Sequence, residues 1–252
     1  MTKNIRENAR ALREAQALAE RRKRNRTRLL MAVGLITIVG LLVAIVVVAI
    51  LSSRTTTTSN ADGPLVTPAS ATDDGAIAVG EADAPVTVAV YLDYMCPYCG
   101  QFEKANGGEL DRLIEEGTVR VELHPMSFLD KASGGTRFST RAANAVATVA
   151  HRAPDKVLAV NRALFDRQPA EGSKGLTDAQ IAEIATGAGV PQDVVTSFSA
   201  LTFEPWVVEA TQKAFKAGVS NTPTVKINGE DFAGDLYTVG PLTQAIESAK
   251  AT

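Results

Sequence analysis

The chain has 252 residues, 45% of them hydrophobic, and carries 26 Lys/Arg against 28 Asp/Glu with only two cysteines. That length can bury one sizeable core, and a cysteine pair three apart in sequence is no disulfide framework, which needs several cysteines at wide spacing. Charge is split along the chain: residues 1–28 hold ten Lys/Arg and three Glu, net +7, which leaves −9 on the remainder.

Residues 2–20 have weak helical periodicity and suit a short helix at a membrane surface. Residues Leu29 to Leu51 follow as 23 residues without a charge. As a helix they extend about 34 Å, enough to cross a bilayer with some tilt. A cleaved secretory signal would have an apolar stretch of about 7–15 residues and a small-residue cleavage site. This run is longer, and Ile50-Leu51-Ser52-Ser53 is not such a site. The reading is a single transmembrane helix. Arg21, Arg22, Lys23, Arg24, Arg26 and Arg28 precede it and only Arg54 closely follows, so the N-terminus is expected in the cytoplasm and the acidic remainder outside. A basic run abutting a span is a topology and anionic-lipid anchor, which sets aside nucleic acid as a partner.

Ser52 to Gly75, rich in Ser, Thr, Ala, Asp and Pro, reads as a flexible tether, with a random-coil reach of roughly 26 Å. From Ala76 to residue 252 the pattern is mixed α/β. Strands are expected at Ile77-Ala78-Val79, Val86 to Leu92 and Val119 to Leu123, with a helix from Cys96 to about Glu116 between the last two. A helical stretch from about Thr136 to Gly218 comes next, with helix spacing over 141–151, 156–165, 178–186, 192–198 and 204–216. Strand returns at Thr224 to Ile227, turns at Asn228-Gly229 and resumes at Asp231-Phe232-Ala233, and a helix over 239–250 closes the chain. No repeat of solenoid period is present.

The chemistry concentrates at Cys96-Pro97-Tyr98-Cys99. At a helix start, residues three apart share a face, so the two sulfurs can pair. Unpaired first-turn N–H groups and the helix dipole lower a thiol pKa from about 8.5 towards roughly 3.5–7.5. Cys96 is therefore the expected nucleophile and Cys99, one turn inward, the resolving thiol. Pro97 suits the first turn, where its missing N–H has no intrahelical partner. A zinc site on the same pair would need two further ligands. The chain offers only His124 and His151, singly placed, and both read as structural or surface residues. No metal or cofactor is expected.

Three segments together resemble the DsbA-like proteins of the thioredoxin superfamily: Gly80 with Asp83-Ala84-Pro85-Val86-Thr87-Val88, then Asp93-Tyr94-Met95-Cys96-Pro97-Tyr98-Cys99, then Gly218 to Gly229 containing Asn221-Thr222-Pro223-Thr224. The resemblance covers about residues 76–252 and implies a thioredoxin-like fold with a helical insertion at about 136–218, behind one N-terminal transmembrane helix. It implies a cis bond before Pro223, a Thr222 backbone that holds client peptide beside the cysteines, and an apolar client groove shaped by the insertion. The buried acid often found six residues before the first cysteine is replaced here by Val90. Asp93, three before Cys96, then has two readings, a proton-transfer carboxylate or a solvated strand-end one. Pro-Tyr between the cysteines also resembles glutaredoxins, which lack a long insertion and an export anchor.

The expected activity is extracytoplasmic thiol-disulfide exchange, oxidising cysteine pairs of exported clients. By family analogy, reoxidation would fall to a quinone-linked membrane partner of the DsbB or vitamin K epoxide reductase type. A reductase or isomerase would use the same atoms in the other direction, and a non-catalytic peptide-binding module would not need them.

Overall fold

In the computed structural model, which describes residues 61–250, five strands form one mixed sheet in the order β1-β3-β2-β4-β5. The basic tail, the apolar run 29–51 and the tether as far as residue 60 lie outside the described residues. No helix among the described residues is long and apolar enough to cross a membrane.

Strand β2 (Val86–Leu92) is central and buried almost throughout, as its near-continuous apolar sequence requires for a strand covered on both faces. It pairs in parallel with β3 (Val119–Pro125), Val86 opposite Val119 and Leu92 opposite Pro125. Parallel neighbours need a crossover, and helix α1 (Pro97–Glu115) provides it. Strand β1 (Ile77–Val79) runs antiparallel on the far side of β3. On the other edge, β4 (Thr224–Ile227) and the two-residue β5 (Glu230–Asp231) form an antiparallel hairpin beside β2. Its turn uses Asn228 and Gly229, both with positive φ, the backbone that a tight Asn-Gly hairpin turn demands. The Asn228 side chain also accepts the Thr87 N–H at 2.9 Å.

Between β3 and β4 lie α2 (Phe138–Arg152), α3 (Val157–Asp166), α4 (Asp178–Gly187), α5 (Gln192–Thr196) and α6 (Glu204–Lys216), with short 3-10 turns at 130–133, 154–156 and 197–200. Helix α2 is buried from Phe138 through Ala150. Its many Ala residues let neighbouring helices approach closely on every side. A capping box starts α4, with the Thr177 side chain accepting from Gln180 N and the Gln180 side chain accepting from Thr177 N. Helix α7 (Pro241–Lys250) inserts Leu242 and Ile246 into the main core.

The structure departs from the sequence reading in four places, the first being the returning strand, which covers Glu230–Asp231 and not Asp231-Phe232-Ala233. Packed chain begins before Ala76: Pro68 is buried, Ala69 N–H donates to His151 Nδ1 at 3.1 Å, Ser70 Oγ donates to Ala150 O, and Ala71 bridges to Ile77. This end of the expected tether docks because its backbone groups find partners on α2 and β1, which composition does not reveal. The helix read over 192–198 stops at Thr196 and tightens to a 3-10 turn. The last helix starts at Pro241 rather than Val239, since Gly240 has φ +113.

Asn144, fully buried on α2, ties the insertion together: its Oδ1 accepts Phe203 N–H at 3.0 Å and its Nδ2 donates to Phe198 O at 3.2 Å. Asn144→Ala would strand two buried backbone groups, each costing about 1–3 kcal/mol. A loss of about 3 kcal/mol in denaturant unfolding is expected; a change below about 0.5 kcal/mol would mean that these bonds are replaced.

Candidate active site

The carboxyl end of β2 runs directly into α1, and the turn between them, Asp93-Tyr94-Met95, is buried. Cys96 is the N-cap of α1, Pro97 occupies the first turn, and no side chain caps the helix. The N–H of Cys96 donates to Asp93 O, and the Cys96 carbonyl accepts from Cys99 and Gly100. Both cysteines are unbonded thiols.

The two sulfurs sit in opposite electrostatic settings. The Cys99 thiol, then the Thr222 side chain and the N–H groups of Cys99 and Tyr98, all favour the Cys96 thiolate and outweigh partial burial, lowering its pKa to about 6. Cys99 is fully buried, and burial followed by the neighbouring Cys96 pushes its thiol well above the ordinary range. The helix start thus holds one sulfur ready to ionise and one that stays protonated.

Thr222 and Pro223, on the loop before β4, stand against the pair. Their peptide bond is cis, and the Cys96 Sγ lies 3.2 Å from Thr222 O. Tyr98 is more than half exposed, and its ring meets that of Tyr237 at 5.8 Å. Beside Pro223 is a depression of about 310 Å³ lined by Ser220, Asn221, Thr224, Lys226, Asp231 and Phe232 among others. Val219, Val225 and Leu236 add apolar surface to this lining; the hairpin β4–β5 borders it, and no residue of α2 to α6 does.

Asp93 is fully buried, so the solvated reading fails. One carboxylate oxygen accepts Met95 N–H at 2.8 Å and Ser139 Oγ–H at 2.7 Å; the other accepts Leu129 N–H at 2.8 Å. Burial raises its pKa to about 6 against the lowering effect of these bonds.

Three further residues bear on the site without any local sequence signal. Gln168, just after α3, donates to Tyr94 O at 3.1 Å and Cys96 O at 2.8 Å and so clamps the turn from outside. Glu103, one face further along α1, has a pKa raised to about 7 by burial. It accepts from Asn161 Nδ2 at 3.0 Å, and Asn161 Oδ1 in turn accepts the buried Tyr94 hydroxyl. A cleft of about 610 Å³ opens between α1 and α3 over Glu103, Arg162 and Gln168. The polarity of Glu103 and Gln168 resembles that of any surface helix residue until α3 is folded against α1. His124, on β3, is buried and stacked on Tyr91, centroids 4.0 Å apart, and is no surface residue.

Ultraviolet thiolate absorbance of the reduced protein should rise once, with a midpoint near pH 6, and Thr222→Val should move that midpoint up. A midpoint at the ordinary thiol value of about 8.5 would overturn the assignment. Because the folded pKa is depressed, Cys96 ionisation stabilises the reduced fold fully above about pH 8.5, and the gain is lost as pH falls through about 6. Asp93, whose folded pKa is raised, has the opposite slope as pH rises through about 6. The difference between the native protein and Cys96→Ala isolates the cysteine.

The sequence matches the thioredoxin family over residues 72–247. It is 32% identical over 128 residues to the serine/threonine-protein kinase PknE of Mycobacterium tuberculosis, a match covering 49% of this chain but only 22% of that relative. Reduced DsbA of M. tuberculosis superposes with a TM-score of 0.59 at 27% identity, over 70% of this chain and 98% of that one. The thiol-disulfide oxidoreductase MdbA of Actinomyces oris gives a TM-score of 0.63 at 25% identity, over 76% and 93%. With a cysteine pair at the β2–α1 junction and the helical insertion between β3 and β4, the chain belongs to the thioredoxin family, as a thiol-disulfide oxidoreductase of DsbA-like build.

Proposed function

We propose that this oxidoreductase runs in the oxidising direction, forming disulfides in exported proteins, with its catalytic domain held outside the cytoplasm by the span 29–51. The observation that carries this reading is the split between the two sulfurs, with the Cys96 thiolate favoured and Cys99 kept protonated. Stabilising the reduced form makes the corresponding disulfide a stronger oxidant.

The cycle starts from the Cys96–Cys99 disulfide. A client thiolate attacks Cys96 Sγ, a client–Cys96 bond forms, and Cys99 leaves as a thiolate that takes a proton, as its high pKa requires. A second client thiolate attacks the client sulfur of the mixed disulfide and expels Cys96 as its stabilised thiolate. The client loses two electrons and the cysteine pair gains them. Release is favoured because a low-pKa thiolate leaves faster. The Thr222 backbone beside Cys96, with Tyr98 and Tyr237 exposed nearby, supports client docking at this edge. Reoxidation then falls to a quinone-linked membrane partner of the DsbB or vitamin K epoxide reductase type, for which a membrane-held donor is well placed.

The full chain equilibrated with glutathione buffers should have a potential nearer the roughly −120 mV of DsbA than the roughly −270 mV of thioredoxin. A value near −270 mV would reverse the direction of electron flow and make the protein a reductase. Cys96→Ala should abolish exchange altogether; a variant that kept its biological activity would mark a peptide-binding module.

A further inference from the structure

Arg120, Glu122 and His124 alternate along β3, so all three share one face of the strand. Over that face lies the turn before β1, which brings Asp74 against them. The His124 side chain is only 3% exposed and its Nε2 has no hydrogen-bond partner. The nearest polar atom recorded for Nε2 is Asp74 Oδ2 at 3.8 Å, beyond hydrogen-bond reach. Buried ring nitrogens are ordinarily paired, so an orphan nitrogen aimed at two carboxylates needs a partner.

We propose that Asp74, Glu122 and His124 form a binding site for a divalent transition-metal ion of the zinc class. One ligand atom from each residue lies within 4.8 Å of the others. Donors at about 2.0–2.2 Å around a tetrahedral ion stand roughly 3.3–3.6 Å apart, so closure needs a modest inward shift. Asp74 can supply it, being 61% exposed on a turn, whereas His124 is held rigidly by the Tyr91 ring at 4.0 Å. One Asp74 oxygen already accepts the Thr72 hydroxyl, which leaves Oδ2 facing the site. Glu122 also meets Arg120, at 3.4 Å, and a metal would compete for that oxygen. An imidazole with two carboxylates suits zinc and its neighbours, while calcium and magnesium prefer oxygen donors alone. Three protein ligands leave a fourth position for water. The ion would join the docked segment before β1 to the central strands, a clasp on the domain edge made from residues distant in sequence. This site shares no residue with the cysteine pair and does not depend on the direction of its redox cycle.

The test uses the untagged full chain in its Cys96–Cys99 oxidised form, so that neither sulfur can bind metal, stripped with chelator and titrated with Zn²⁺ by calorimetry. One ion per chain is expected, with a rise in melting temperature on binding. Asp74→Asn should weaken binding at least tenfold and His124→Gln at least a hundredfold. If His124→Gln fails to fold, Asp74→Asn, at an exposed side chain, carries the test alone. Absence of saturable binding, binding unchanged in Asp74→Asn, or Ca²⁺ bound as tightly as Zn²⁺ would each overturn the proposal.

Discussion

A carboxylate with no basic partner among its hydrogen-bonding neighbours lies at the meeting point of every layer of this domain. Asp93 ends the central strand and accepts hydrogen bonds from Met95 in the cysteine turn, Leu129 beyond β3 and Ser139 at the start of α2. Burial penalises its charge, and only these three donors offset the penalty. The position of Cys96 is consequently coupled to the docking of the helical insertion, because one side chain holds both. Gln168 completes the arrangement from the opposite side, binding the carbonyls of Tyr94 and Cys96. The turn is held without a disulfide because three distant segments bind it, Leu129 and Ser139 at the Asp93 carboxylate and Gln168 at the backbone carbonyls of Tyr94 and Cys96.

That anchoring is what allows two chemically identical thiols to behave differently. Cys96 stands at the open end of α1, where N–H groups point outward, and Cys99 is one turn inside the core. Donors lower one pKa and desolvation raises the other. Cys96 is 5% exposed and Cys99 not at all, so a disulfide between them is attacked at Cys96, and the more deeply buried Cys99 becomes the leaving group that picks up a proton. Direction of exchange follows from how strongly the reduced pair is stabilised, so the donors around Cys96 act on the chemistry through its thermodynamics.

Much of the fold was legible in local pattern. The strand at Val86–Leu92 is a continuous apolar run, α6 carries helical spacing over 204–216, and Asn228-Gly229 specifies a hairpin turn. The docking of residues 68–75 was not legible, because a Ser/Thr/Pro-rich segment has no periodicity and is ordered by bonds to His151 and Ala150 far along the chain. The depression beside Pro223 was hidden for a similar reason: its lining comes from two hairpin strands and two loops that meet only after folding.

By itself, the amino-acid sequence determined the cysteine pair, its place at a strand-to-helix junction, the order of strands and helices, and the charge-free run at Leu29 to Leu51, since all of these are encoded in spacing and composition over short windows. Only the tertiary structure decided that Asp93 is buried rather than solvated, that Glu103 and Gln168 support the site, and that Asp74 meets His124. Burial and hydrogen-bond pairing are properties of segments brought together from far apart, and one strand or helix read alone does not specify its neighbours.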